Sequence, residues 1–214
     1  MDSRIGLFGG SFDPIHFGHL ISARSLAEQL GLDRVILVPA AQPPHKQHRQ
    51  ITPGPHRLAM AELAVEGDPL FEVSDVELRR QGPSYTFDTV SEMRTRLGTR
   101  ASLFWFIGAD SLPELPSWYR ISELVDAVQI VTATRPGWEP PPLARLEAVV
   151  PPGAAAALLR NCFQTPAIDI SATDLRNRVA KGLSIRYLTP EAVRGYIRDH
   201  LLYLDHSPEN HGNQ

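Results

Sequence analysis

Ile5-Gly6-Leu7-Phe8-Gly9-Gly10-Ser11-Phe12-Asp13-Pro14-Ile15-His16-Phe17-Gly18-His19 opens the chain almost at once. Ile5 to Phe8 form a short apolar run closed by two glycines, and beyond Asp13-Pro14 the positions Leu20, Ala23, Ala27 and Leu30 share one face of a helix. A buried strand passing through a tight turn into a helix is expected. Glycine at the turn lets backbone amides approach a phosphate with no Cβ in the way, and Gly18 would let a ligand lie close to the helix start. His16 and His19 are neighbours if both occupy the first helical turn. Helix N-termini favour anions, so two imidazole donors there suit a phosphate; the plainer reading is a turn with two solvated histidines.

Working outward, Val35 to Val38, Phe71 to Val73, Leu103 to Ile107 and Val128 to Val131 repeat the short apolar run, bounded by Gly, Pro or polar residues, as in strands covered on both faces. Helical patterns lie between them: Leu58, Leu63 and Val65 in one, Val90, Met93 and Leu97 in another. Alternation of this kind implies right-handed crossovers and an α/β fold, a Rossmann-like doubly wound parallel sheet with helices on both faces. A small C-terminal helical segment follows, with Thr189 as N-cap, Pro190 at the first helical position, and Val193, Ile197 and Leu201 at four-residue spacing. Proline-rich loops are expected from Gln42 to Pro55 and from Gly137 to Pro142, and a frayed tail from His206 to Gln214.

The chain has 214 residues, 43% apolar and 21% charged, which suits one core of ordinary size, a single domain over 1–205. Its 21 Lys and Arg against 24 Asp and Glu leave a net charge of −3, without the basic excess that a grip on nucleic acid needs. No apolar run approaches the ~20 residues that cross a bilayer, and no signal peptide is expected at the N-terminus. The single cysteine, Cys162, can form no internal disulfide, so a cytoplasmic protein without nucleic-acid or membrane partners is expected.

In open α/β sheets, ligands bind beyond the carboxyl ends of the strands. Gly108 and Asp110 follow the fourth strand, where a carboxylate could hold ribose hydroxyls or simply cap a short helix. Trp105 and Phe106 read as strand core, and Tyr85 as core or site. Ser171 and Thr173 open a helix that carries Arg176; Ser171-x-x-Asp174 has the pattern of a capping box, and the same helix start could face phosphate. Lys46, beside Pro43-Pro44-His45, is either a solvated lysine or a point charge for a phosphate.

Gly10-x-Phe12-Asp13-Pro14-x-His16-x-Gly18-His19 resembles the signature of the His-x-Gly-His nucleotidylyltransferase superfamily. Pro43-Pro44-His45-Lys46, Tyr85-Thr86-x-Asp88-Thr89, Phe106-Ile107-Gly108-Ala109-Asp110 with Trp118, Arg135-Pro136-Gly137 and Ile170-Ser171-x-Thr173-x-x-Arg176 resemble, in order, the motifs of bacterial nicotinate-nucleotide adenylyltransferases. The resemblance implies a nucleotidyltransferase of pyridine nucleotide biosynthesis that joins ATP, with Mg2+, to nicotinate mononucleotide. Carried over residue by residue, it implies catalytic roles for His16, His19, Lys46 and Arg176. It implies ATP contacts from Gly9, Gly10, Ser11, Phe12, Gly108, Asp110, Ser171 and Thr173, and a nicotinate pocket of Tyr85, Thr86 and Trp118. Ala172 departs from the second serine of many relatives, and no protein metal ligand is implied. The chemistry is consistent with these residue types, because an in-line attack on a phosphorus needs positioned donors and cations rather than a nucleophilic side chain.

Related readings share the first signature or the fold. Pantetheine-phosphate adenylyltransferases typically have Thr at the position of His16, and cytidylyltransferases use another base; both lack the middle motifs. A class I tRNA synthetase would need a tRNA-binding region for which this chain is too short. A non-catalytic nucleotide sensor on the same fold is the alternative from a different class.

Overall fold

A computed structural model describes residues 3–42 and 51–204. Pro43, Pro44, His45 and Lys46, and the tail expected from His206, lie outside the described residues. In chain order the elements are β1 (Arg4–Gly10), α1 (Phe17–Leu30), β2 (Arg34–Pro39), α2 (Gly54–Val65), β3 (Phe71–Val73), α3 (Thr86–Leu97) and β4 (Ser102–Gly108). A 3₁₀ segment (Ala109–Ser117), α4 (Ile121–Ala127), β5 (Gln129–Thr134), α5 (Leu143–Glu147) and α6 (Pro152–Arg160) come next. β6 (Cys162–Gln164), α7 (Ala172–Ala180) and α8 (Glu191–Asp199) complete the order.

All strand pairings are parallel, in the order β3-β2-β1-β4-β5-β6, with Ile5 beside Arg34 on one side and Leu103 on the other. Successive residues of β4 show why the strands read as continuous apolar runs. Leu103, Trp105 and Ile107 enter one hydrophobic cluster with Val90 and Met93 of α3 and Leu124 of α4, while Phe104 and Phe106 enter the other with Leu26 of α1, Met60 of α2 and Ile197 of α8. Helices therefore cover both faces, as the alternation predicts. The order in which the chain adds strands reverses between β1 and β4, so a crevice opens at the carboxyl ends of these two strands.

Several details depart from the periodicity. The buried face of α2 is Arg57, Met60, Ala61 and Val65; of the expected Leu58, Leu63 and Val65, Val65 is buried and Leu63 packs partly against the core, while the guanidinium of Arg57 goes inside where main-chain carbonyls accept from it. Thr189 does not cap α8; its Oγ1 donates instead to the Ile15 carbonyl at 2.8 Å, and Pro190 takes the cap position. Val193 and Ile197 are buried, but Leu201 lies past the helix end with φ 52° and is exposed. Val128 terminates α4 rather than starting β5. β6, three residues at the sheet edge, has no expectation to match; a run of Cys-Phe-Gln carries neither length nor alternation.

Candidate active site

At the β1–α1 turn the chain folds tightly. Phe12 has φ 47° and is buried, a left-handed conformation that a bulky residue adopts only when its surroundings impose it. The glycines around it answer to packing as much as to a ligand. A Cβ on Gly9 would lie 2.5 Å from the Trp105 ring, and one on Gly10 would lie 2.9 Å from the Phe12 ring. Gly18, expected to admit a ligand, admits the His16 ring: a Cβ there would approach His16 Nδ1 to 3.0 Å.

His16 is the N-cap of α1 and His19 its third residue, so both stand in the first turn, with rings stacked at 3.7 Å between centroids. The pair is at most partly solvated, with His16 buried and His19 half-buried. His16 is 5% exposed, and His19 meets Phe12 and Phe8 edge-on at 5.2 and 6.1 Å. His19 Nδ1 accepts the His16 backbone N–H at 3.2 Å, so when His19 is neutral its proton sits on Nε2. Burial lowers His16 to about 4, so it is a neutral imidazole at physiological pH and can donate a hydrogen bond without carrying a charge.

The second end of the site is the start of α7. Ser171 Oγ accepts the Asp174 N–H at 3.1 Å, one arm of the predicted capping box. Arg176, one turn on, donates from Nη1 to the Asp13 carbonyl at 2.5 Å and from Nη2 to Thr173 Oγ1 at 3.1 Å, which ties α7 to the β1–α1 turn. Asp13 is buried, with Oδ1 accepting from Tyr203 Oη at 2.7 Å and Oδ2 from the Thr52 N–H at 3.3 Å. Burial, together with this carboxylate, pushes the Tyr203 phenol up, so it remains a donor.

These pieces wall a cavity of about 600 Å³ at the switch point. Gly9, Gly10, Ser11, Phe12, His16, His19, Gly108, Asp110, Ser171, Thr173 and Arg176 all line it, so the structure gathers residues that the sequence scatters over most of the chain. Asp110 is exposed and does not cap the 3₁₀ segment, where Gly108 takes that position. Arg135 and Trp138 also line the cavity beyond β5, as do Thr165, Ile168 and Ile170 between β6 and α7. Of these only Arg135 and Ile170 fall in quoted motifs. The rest carry no sequence signal, because small and apolar residues in a loop show what they face only once β6 is placed.

The lining of this cavity does not include Tyr85, Thr86 or Trp118. Tyr85 precedes α3 and packs on the Tyr119 ring at 4.5 Å; Thr86 is the first residue of α3, whose N-terminus has no side-chain cap. Trp118 closes the 3₁₀ segment and packs on the same core cluster as Phe87, and its Nε1 is buried with no hydrogen-bond partner. Ser84 Oγ accepts the N–H groups of Ala41 and Gln42 at 3.0 and 3.1 Å, which places this corner beside the end of the β2 loop. Inside it, Thr89 Oγ1 donates to Glu77 Oε1 at 2.6 Å, and burial pushes the Glu77 carboxyl up. Among the described residues no group of three or more His, Cys, Asp or Glu side chains could hold a metal ion, and no helix is long and apolar enough to cross a membrane.

Residues 7–178 match the cytidylyltransferase-like family. A protein of Thermomicrobium roseum named "Probable nicotinate-nucleotide adenylyltransferase" is 46% identical over 201 residues, covering 94% of this chain and 92% of that protein. One of the same name from Dehalococcoides mccartyi is 38% identical over 200 residues, 94% of this chain and 97% of its own. Among solved structures, Plasmodium falciparum nicotinic acid mononucleotide adenylyltransferase complexed with NaAD superposes with a TM-score of 0.72 at 17% identity, over 94% of this chain and 97% of that one. At that identity the likeness speaks for the fold.

Proposed function

The chain belongs to the cytidylyltransferase-like family and, within it, to the nicotinate-nucleotide adenylyltransferases, and from that membership we propose that it transfers the adenylyl group of ATP to nicotinate mononucleotide by direct in-line displacement. A phosphate oxygen of the mononucleotide forms a bond to the α-phosphorus as the bond from that phosphorus to the β-bridging oxygen breaks. The electron pair leaves on pyrophosphate, and deamido-NAD is the other product. No covalent enzyme intermediate is required.

One observation carries this reading: the Gly9 to His19 turn and the capped start of α7, two ends suited to an anion, face one cavity at the switch point of the sheet. His16 and His19 donate to phosphate oxygens in the transition state, and Arg176 presents its planar fork to them. Gly9, Gly10, Ser11, Phe12, Ser171 and Thr173 shape the phosphate cradle, and Gly108 and Asp110 hold the nucleoside. Lys46 enters on its place in the sequence alone, as a point charge for the triphosphate.

Magnesium enters as part of the substrate, MgATP. Asp13, the carboxylate within the turn, is already engaged by Tyr203 and Thr52, so phosphates and water supply most of the ligands to the ion. The acceptor occupies the corner of Tyr85, Thr86 and Trp118. There the uncapped N-terminus of α3 offers backbone N–H groups to a carboxylate, and the Trp118 face offers a surface to a cationic ring. An amide would meet those donors with its own NH2. Each such clash leaves buried groups unpaired, worth about 1 to 3 kcal/mol, or roughly 5- to 150-fold.

The test is incubation of the purified protein with MgATP and candidate acceptors, read as dinucleotide and pyrophosphate. Turnover with nicotinate mononucleotide, at a kcat/KM above that for its amide analogue, is expected. Turnover with phosphopantetheine and none with the mononucleotide would overturn the reading, and equal use of acid and amide would remove the account of the pocket.

A further inference from the structure

Arg57 is the largest fully buried side chain of the molecule among the described residues, at 1% exposure, and it sits on α2, away from the cavity lining. Its donors end on main-chain carbonyls rather than on a carboxylate: Nε reaches the Thr52 oxygen and Nη1 the Ser11 oxygen, both at 2.7 Å. An apolar side chain would fill this position of α2 without the desolvation that a guanidinium suffers there. What the guanidinium does that an apolar group cannot is fix two chain segments to one helix. One is Ser11, immediately before the left-handed Phe12; the other is Thr52, two residues before α2.

A second tie lies alongside. Tyr203, near the end of the described chain, donates to Asp13 Oδ1 at 2.7 Å, while Asp13 Oδ2 takes the Thr52 N–H and the Asp13 carbonyl takes Arg176 Nη1. Arg57 thus joins Ser11 to Thr52, Asp13 bonds Thr52 and Arg176 directly, and Tyr203 holds the Asp13 carboxylate in the orientation that receives Thr52. Neither Arg57 nor Tyr203 lines the cavity. Burial lowers the Arg57 guanidinium from its ordinary value, offset by the nearby Asp13 carboxylate, so the charge is held by the same group it helps to place.

We infer that Arg57 and Tyr203 are positioning residues, which hold the strained Ser11–Asp13 turn, the Thr52 segment and Arg176 in the one arrangement that grips a triphosphate. This inference rests on the adenylyl-transfer reading for its effect on turnover, but not for its effect on nucleotide binding. In Tyr203→Phe one hydroxyl is lost and the ring stays; in Arg57→Lys the charge stays and one of the two carbonyl bonds is lost. Each variant is assayed well below its own melting temperature, for kcat and KM with MgATP and nicotinate mononucleotide, and for the Kd of MgATP by direct titration. Misplacement of the cradle is expected to lower kcat about tenfold and to weaken MgATP binding several-fold, while KM for the mononucleotide stays within about twofold. Because both residues hold one turn, the double variant should lose less than the product of the two single losses.

Variants that melt at lower temperature but keep wild-type kcat and MgATP affinity would overturn the inference, leaving Arg57 and Tyr203 as fold stabilisers only. If the wild-type protein binds MgATP and makes no dinucleotide, the proposed function falls. The Kd comparison then decides the inference by itself. Tyr203→Phe, which deletes a single atom, keeps the test open should Arg57→Lys fail to fold.

Discussion

His16 is an imidazole that its surroundings keep neutral, and this has consequences for stability as well as for chemistry. Burial sets its folded value near 4, against an ordinary value of 6.5. Between those pH values the unfolded chain takes up a proton that the folded chain does not, so stability falls as pH drops from about 6.5 to about 4. Above pH 6.5 both states are neutral and the effect vanishes. The full loss is about 3 kcal/mol on the linkage scale. Urea unfolding of wild type and His16→Gln at pH 7 and pH 4.5 checks this: the variant should lose less stability on acidification, and an equal loss in both would remove His16 as the source. In turnover, His16→Ala and His19→Ala should each cost on the order of 10² to 10⁴ in kcat with cooperative unfolding retained, since in the proposed mechanism each removes a donor to developing charge. The spacing of the two histidines was readable in sequence. Their packing was not, because it comes from Phe8 and Phe12 against His19 and from the two imidazoles on one another, and Phe12 reaches His19 only through a left-handed turn that no residue type announces.

At the scale of the element, the clearest contrast is between α7 and α2. The cap of α7 was legible because Ser171 and Asp174 stand three apart and the bond between them is local. Ser171→Ala should cost about 1 kcal/mol, a few degrees in Tm, by removing that cap. If Ser171 also meets the triphosphate, KM for ATP rises in the same variant while kcat holds, and a fall in Tm with unchanged KM assigns Ser171 to the helix alone. For α2, periodicity pointed to Leu58, Leu63 and Val65, of which Val65 is buried and Leu63 packs partly on the core, but it missed Arg57 because a rule that sorts residues by polarity cannot put an arginine inside. The partners that make Arg57 tolerable are carbonyls 46 and 5 residues away in sequence, set by the fold rather than by α2. Thr189 failed as a cap for a similar reason: the Ile15 carbonyl, 174 residues distant, competes for its hydroxyl. Local signals survive where their partners are local, and α7 and α2 stand on either side of that line.

For the whole molecule, alternation of apolar runs and helical patterns was enough to give a parallel sheet, but only the strand order locates the switch point between β1 and β4. The cavity wall there runs from Phe8 to Arg176 and draws on β1, α1, β4, the loop after β5 and the start of α7. No one supersecondary unit can hold a ligand by itself in such an arrangement, so the bound nucleotide adds bridges between parts of the chain that unfolding would separate. A ligand that binds only the folded state stabilises it by RT ln(1 + [L]/Kd), about 2.7 kcal/mol at a hundred times Kd. For a chain of this size that corresponds to a rise in Tm of roughly 5 to 11 °C. Thermal unfolding over a series of MgATP concentrations should therefore show Tm climbing with the logarithm of ligand concentration once Kd is passed. Arg176→Ala, which loses both the bond to the Asp13 carbonyl and the fork facing the cavity, should show a smaller rise at the same concentration, because its Kd is weaker. A wild-type Tm that does not move at millimolar MgATP would mean that the cavity does not take the nucleotide, and the site would then have to be sought elsewhere on the molecule.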